Sequence, residues 1–375
     1  MSADKSSDEI EKEKIEGLDT TLAEGWGSDY PLDAVFVRNE ARTVSEVVKR
    51  IKGDRYQLDP EFQRDFVWPV EKQSRLIESC VMRIPLPVFY VAEAHDGRIA
   101  VVDGLQRLTT FYRFLGNELS LYLKPGEDEP DHPLHGKRFR DLPLQLQERI
   151  EDTQLILYIL EPNAPERAKL DIFERVNSGV PLTRQQMRNC LFNGPATAWL
   201  KRAANSEIFL KATGRSLDRK SMRDREAINR FCAFSLLGFN EYKSADMDGF
   251  LAQALLKMNS GEIDLEDLYK QFIFSMEVNY RLFKDHAFRK SISDLDDPFA
   301  ARKVINIALF DVCSVLFSMV EFGLIEEAYD EYVEVIQNLL LDEEFVHSIT
   351  YSTNSTKQVK KRFELAYAAI FGVFE

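Results

Sequence analysis

Apolar positions in this chain recur with two periods. In TVSEVVKRI, residues 43–51, Val44, Val47, Val48 and Ile51 fall on one helical face. Over residues 70–84 the same spacing places Val70, Ile77, Val81 and Ile84 in one line, with Leu76 and Cys80 beside it, and Pro85 and Pro87 close the helix. Between the two helices RYQLD predicts a short strand and PEFQRDFVWP a turn-like segment. VFYVAEA and RIAVVD are rich in strand formers, and His95-Asp96-Gly97 between them is a hairpin signal. A helix from Gly104 to Leu115 follows. Residues 124–136 hold three prolines, two glycines and four acids and predict an exposed loop, whereas QLILYIL, residues 154–160, suits a buried strand.

Beyond Pro165 the pattern is helical to the end. Periodic segments fall near 165–177, 183–192, 195–212, 222–238, 247–259, 263–285, 299–320, 323–340 and 356–373. The fold class expected is therefore α+β: a small mixed α/β unit over residues 34–164, then a larger all-α helical domain over 165–375. Residues 1–33 are charged, poor in aromatics and without periodicity, and read as a disordered acidic tail.

Charge refines this picture. The formal net charge is -14, and the first 33 residues, with ten acids against three bases, carry half of it. The body is thus mildly acidic, which argues against broad sequence-independent DNA binding. Two local basic runs remain. Lys211–Arg230 sets seven Lys or Arg against three acids, and Lys357, Lys360, Lys361 and Arg362 cluster near the C-terminus. Solvated helix faces explain both more simply than a DNA track does. Cys80, Cys190, Cys232 and Cys313 lie far apart inside apolar helical patterns and suit reduced thiols in a cytoplasmic protein. The most apolar stretch, Ile305 to Ile325, is interrupted by Asn306, Asp311 and Glu321, so a core helix fits it better than a membrane span.

Three segments carry candidate chemistry. VVDGLQRLTTF, residues 101–111, runs a strand into Asp-Gly and then a helix; helix N-termini bind anions, and Asp103 and Arg107 stand one turn apart. A capped helix with Asp103 accepting backbone N–H groups accounts for the motif equally well. PEFQRDFVW, residues 60–68, sets Gln63 and Arg64 between Phe62 and Phe66, aromatics that would hold a phosphate-binding Arg rigidly. In IFERVNSGVPLTRQQMRN, residues 172–189, Gly179 ends one helix and Thr183 caps the next, while Glu174 and Asn177 share a face and offer oxygens to Mg²⁺. No Walker A loop, dinucleotide-binding glycine pattern, HExxH or clustered Cys/His spacing occurs, and His132 with His135 in a Pro-rich loop is weak metal evidence.

Taken in order, EFQRDFVWPVEKQSRLIESCVMRIPLPVFYV, VVDGLQRLTTFYRFL and IFERVNSGVPLTRQQMRN resemble the N-terminal domain of GmrSD-type restriction enzymes, a family with a ParB/sulfiredoxin-like core. REAINRFCAF (225–234), DMDGFLAQAL (246–255) and STNSTKQVKKRF (352–363) are similar to its later, less specific blocks. DGLQR is similar to the family's DGQQR signature and departs from it at Leu105 alone. The resemblance implies nucleotide hydrolysis or nuclease activity in defence against phage or modified DNA, with Asp103 and Arg107 as the core of the site and Gln63, Arg64 and Asn177 around it; Gly104 and Gln106 also match the signature. On side-chain chemistry, Arg64 and Arg107 would bind phosphates, Asp103 with Glu174 or Asn177 would hold Mg²⁺, and Gln106 would orient water. Many relatives continue into a His-Asn-His nuclease domain. The helical half here lacks a His-rich pattern of that kind, so a self-contained cutter by that route is not expected. Three readings stand: a Mg²⁺-dependent nucleoside triphosphatase working with a separate nuclease effector, a ParB-like nuclease using the same site, and a non-catalytic nucleotide- or DNA-binding clamp.

Overall fold

The computed structural model describes residues 15–17, 37–58, 68–94, 96–123, 132–164, 168–172, 183–295, 297 and 301–374. It is α+β, with a mixed sheet and its helices first and a largely helical region after. Strands β1 (Val37–Thr43), β2 (Tyr56–Gln57), β3 (Phe89–Glu93), β4 (Ile99–Asp103) and β5 (Gln154–Leu160) form one sheet in the order β1-β5-β3-β4-β2. β3 and β4 are the antiparallel hairpin that Asp96-Gly97 predicts, β2 lies parallel to β4 and β5 parallel to β3, and β1 pairs antiparallel with β5 at one edge.

One face of the sheet carries four helices, α1 (Val44–Lys52), α2 (Val70–Val81), α3 (Leu105–Leu115) and α4 (Leu144–Glu151). Val44, Val47, Val48 and Ile51 of α1 are buried as their spacing requires, and they share a core with Phe89, Val91 and Val101 of the strands and Leu108, Phe111 and Phe114 of α3. Each such side chain contributes about 1.5–3 kcal/mol on leaving water. On the other face α5 (Arg184–Leu191) lays Met187 and Cys190 against Ala92, Val102 and Leu160. β5 alternates buried and exposed positions at its start, with Ile156 39% exposed, so it is not the fully covered strand its continuous apolar run suggests.

α5 also moves the expected boundary. The chain divides into compact units between Asn193 and Gly194 rather than at residue 164, because α5 belongs to the sheet through Met187 and Cys190. Two further elements escaped the periodicity. β1 reads VRNEART, an edge strand with too few apolar residues to alternate, and α4 follows the loop that ends near Gly136. α2 stops at Val81, and its buried face is Gln73, Ser74, Leu76, Ile77 and Cys80 rather than a line through Val70 and Ile84, which are 40% and 46% exposed.

In the helical unit, the expected segments 195–212 and 323–340 are each two helices, and Glu343–Thr350 is a helix the periodicity does not show. Ile15–Gly17, inside the expected tail, is docked: the Glu16 N–H donates to the Ile305 carbonyl, the Ile307 N–H donates to the Glu16 carbonyl, and Lys290 pairs with the Glu16 carboxylate. Backbone pairing of this kind holds a short polar segment that no hydrophobic pattern announces.

The basic run 211–230 is not a continuous track. Arg225 and Arg230 are buried, and Arg223 pairs with Glu226 at 2.7 Å. In the second run Arg362 is buried and Lys361 pairs with Glu344 at 2.7 Å. All four cysteines are buried and unbridged. Among the described residues no helix is long and apolar enough to cross a membrane.

Asp224 gives the helical unit a pH dependence. Burial pushes its carboxyl up to about 6, against the Arg225 N–H and the Arg225 and Arg219 cations that favour its charge. With a folded-state value above the unfolded one, its contribution is fully present below about pH 4 and is lost as pH rises through about 6. Asp224→Asn should therefore flatten the fall in stability across that window. Urea unfolding at a series of pH values from about 4 to 7 would show it; an unchanged slope would contradict the assignment.

Candidate functional site

β4 delivers Asp103 to the end of the sheet, and the delivery is shaped by a bulge. Tyr90 faces Asp103 while Val91 faces Val101, so Val102 is an extra residue in β4 just before Asp103. Bulges re-aim the side chain that follows them. The next residue, Gly104, stands at φ +99° as the N-cap of α3. A Cβ there would lie 2.3 Å from Cδ1 of Phe89, so only glycine fits both the backbone and the space.

Asp103 does not cap the helix as the sequence allows. Among the described residues no side chain accepts from the first turn of α3, and the first intrahelical bond runs from the Leu108 N–H to the Gly104 carbonyl. The N–H groups ahead of it have no intrahelical acceptor, which leaves the positive end of the helix open beside the carboxylate.

Asp103 instead takes Arg107. The Arg107 Nη2 donates to Asp103 Oδ2 at 2.9 Å, and the carboxylate side chain is 38% exposed. Nη2 also donates to the Val88 carbonyl at 3.0 Å, Nη1 donates to the Pro87 carbonyl, and the guanidinium lies 4.1 Å from the centre of the Phe89 ring. Arg107 is only 8% exposed. Burial lowers its pKa, and Asp103 opposes that shift. So Arg107 is a tie between the start of β3 and the start of α3. Its donors point at protein groups, and Asp103 Oδ1 is left for something else.

Arg107→Ala would remove the charged donor shared by the Pro87 and Val88 carbonyls and Asp103, which should cost about 1–3 kcal/mol in stability and loosen Asp103. Thermal unfolding would measure it, and a variant as stable as the parent would show that the tie is not structural.

Gln106 is the third group of the motif. Its Oε1 is buried and accepts no hydrogen bond among the described residues. Such an acceptor costs stability unless a ligand or water meets it. The described part of the site thus holds a part-exposed carboxylate, a helix N-terminus and, on the same turn, a buried amide oxygen.

Gln63, Arg64, Glu174 and Asn177 lie outside the described residues. What the structure does show is how the 59–67 segment is bracketed. β2 runs parallel to β4, so the chain leaves it toward the sheet end that carries Asp103. At the far side of the segment, the Trp68 carbonyl accepts from the buried Gln73 at 2.9 Å and the Trp68 ring lies 4.4 Å from Lys72 Nζ. Sequence reasoning passed over Gln185, Arg188 and Asn189 of α5. All three are buried, with Arg188 Nε donating to Gln185 Oε1 at 3.0 Å and Gln185 Nε2 to Asn189 Oδ1 at 2.9 Å. Their i, i+3, i+4 spacing was the available signal: a polar stripe on a helix face that packs on a sheet. Beside them Arg184 pairs with Asp171 at 3.1 Å.

Metal chemistry has a narrow footing here. Among the described residues no group of three or more His, Cys, Asp or Glu side chains could hold an ion, and His132 Nε2 is occupied by Glu78 at 3.0 Å. Asp103 offers one free carboxylate oxygen. That suits Mg²⁺, which keeps waters and binds through one or two carboxylates plus phosphate oxygens, better than a metal that needs a full protein cage.

Residues 44–193 match the family model of the GmrSD restriction endonuclease, N-terminal domain. No curated protein and no solved structure matches the chain.

Proposed function

Residues 44–193 being a GmrSD restriction endonuclease N-terminal domain, we propose that they bind a nucleoside triphosphate with Mg²⁺ at the Asp103–Arg107 corner and hydrolyse it. The chain would then be a nucleotide-dependent component of a restriction system acting with a separate nuclease effector. The observation that carries this reading is one juxtaposition: an uncapped helix N-terminus beside a half-exposed carboxylate whose second oxygen is tied back by Arg107.

Each residue takes a role that its surroundings allow. The open N–H groups at the start of α3 receive phosphate oxygens, and Gly104 lets them approach the backbone. Asp103 Oδ1, with Glu174 and Asn177 as further oxygens, would hold Mg²⁺, whose chemistry is to neutralise charge on the phosphates. The buried Gln106 Oε1 accepts a hydrogen of the attacking water and so orients it. Arg107, already engaged, positions Asp103, and the phosphate-binding guanidinium is Arg64. Leu105 replaces an amide of the family signature at a position where none of these roles falls.

Phosphate release from each nucleoside triphosphate with Mg²⁺, compared with Asp103→Ala, tests the reading. Release that the variant loses by at least about 100-fold is expected, since the carboxylate acts on the reacting charge. Equal release from both would remove Asp103 from the site. Plasmid nicking that the same variant abolishes, with no release of phosphate, would assign the corner to a nuclease instead.

A further inference from the structure

A groove of about 700 Å³ opens between the loop that follows α2, α4 and the start of β5. Ile84 and Ile156 line it at 46% and 39% exposure, and Met82 and Leu144, next in sequence to the lining residues Arg83 and Gln145, are 63% and 68% exposed. Single exposed apolar residues are ordinary, whereas several gathered at one groove mark a surface that something covers. The groove is also charged in both senses. Arg83 lines one wall, and Glu148, Arg149 and Asp152 line the α4 side, where Arg149 donates to the Val81 carbonyl at 3.1 Å. Arg83, Glu148 and Asp152 make no ion pair among the described residues.

We propose that this face pairs two copies of the chain about a twofold axis. A twofold contact brings the same patch from each side, so it must be complementary to itself. This patch meets that condition twice. It carries the exposed Met82 and Leu144 one residue from a groove lined by Ile84 and Ile156, and it carries Arg83 together with the Glu148 and Asp152 that a second copy's Arg83 would meet. A partner of one predominant charge would leave either Arg83 or the two acids opposed by their own sign.

The pairing reaches the candidate site through one loop. Pro85 and Leu86 form a wall of the groove, and the next two residues, Pro87 and Val88, are the carbonyls that hold Arg107. A second copy seated on the groove would fix that loop, and with it the guanidinium that aims Asp103. This last link rests on the site proposed above; the pairing itself does not.

Sedimentation of the full chain over a range of micromolar concentrations reads the first result. A dimer is expected that Leu144→Glu and Ile156→Glu each dissociate without changing the circular dichroism spectrum. The charges give a sharper readout. Arg83→Glu alone and Glu148→Arg alone should each weaken the dimer, and mixing the two variants should strengthen it again, because both contacts between positions 83 and 148 then join opposite charges. A chain that stays monomeric at every concentration, a dimer indifferent to Leu144→Glu, or charge variants that fail to rescue each other would each overturn the proposal. The outcome is independent of whether the chain hydrolyses a nucleotide.

Discussion

Replacing Asp311 with alanine should lower the stability of the helical unit by about 3–5 kcal/mol, more than any surface change in the chain. Asp311 is fully buried and accepts from two buried arginines. Arg230 donates to it through Nε at 2.8 Å and Nη2 at 2.6 Å, and Arg362 through Nη2 at 2.7 Å. Burial drives the Arg362 guanidinium down to about 10, and Asp311 is what opposes that shift. Arg230 is raised, because Asp311 overcomes its burial. Removing the carboxylate strands two cations in a place without water. Asp311→Asn keeps an oxygen acceptor and should fall between the parent and the alanine variant. Urea unfolding measures all three, and an alanine variant within about 1 kcal/mol of the parent would show that the cluster is not holding the helices together.

Gly104→Ala is the second large effect, and it couples stability to activity. A left-handed backbone costs an alanine about 1–2 kcal/mol. The new Cβ would also press on Phe89, the ring beneath Arg107, and forced overpacking adds about 1–3 kcal/mol. Relief requires Phe89 to move, which takes the Arg107 tie and the aim of Asp103 with it. The variant should unfold at lower temperature and lose phosphate release even at temperatures where it remains folded. A folded variant with parental activity would mean that the turn tolerates a side chain and that the close approach to Phe89 has no part in the site.

The sequence shows some of this directly and hides the rest for physical reasons. The α1 stripe, the Asp-Gly hairpin and the passage from β4 into α3 are local patterns, and they appear where their periods place them. The four-residue spacing suggests the Asp103–Arg107 pair, but Asp103 ends β4 and it is the bulge and the left-handed Gly104 that bring it to Arg107. What the spacing does not contain is where Arg107 spends its other donors, since Pro87 and Val88 are brought to it by the hairpin. For that reason a residue that reads as a phosphate ligand in the sequence reads as a positioning group in the fold. The polar interruptions of the 305–325 stretch are a second case. They argue only against a membrane span until the structure gives them work: Asn306 caps the helix Ile307–Phe317 by accepting from the Leu309 N–H, and Asp311 joins Arg230 and Arg362. Those arginines sit in REAINRFCAF and STNSTKQVKKRF, two stretches far apart in sequence that the fold brings to one carboxylate. β1 stayed hidden because an edge strand of charged residues has no alternation to read.

The central claim is that Asp103 meets a metal-bound nucleotide while Arg107 holds it in place. Calorimetric titration of nucleoside triphosphate into the full chain, with and without Mg²⁺, against Asp103→Asn tests this most directly. The account predicts binding that requires Mg²⁺, is lost in Asp103→Asn, and is lost without a fall in melting temperature, because the amide still accepts from Arg107. Binding of equal strength in the variant, or binding indifferent to Mg²⁺, would contradict it.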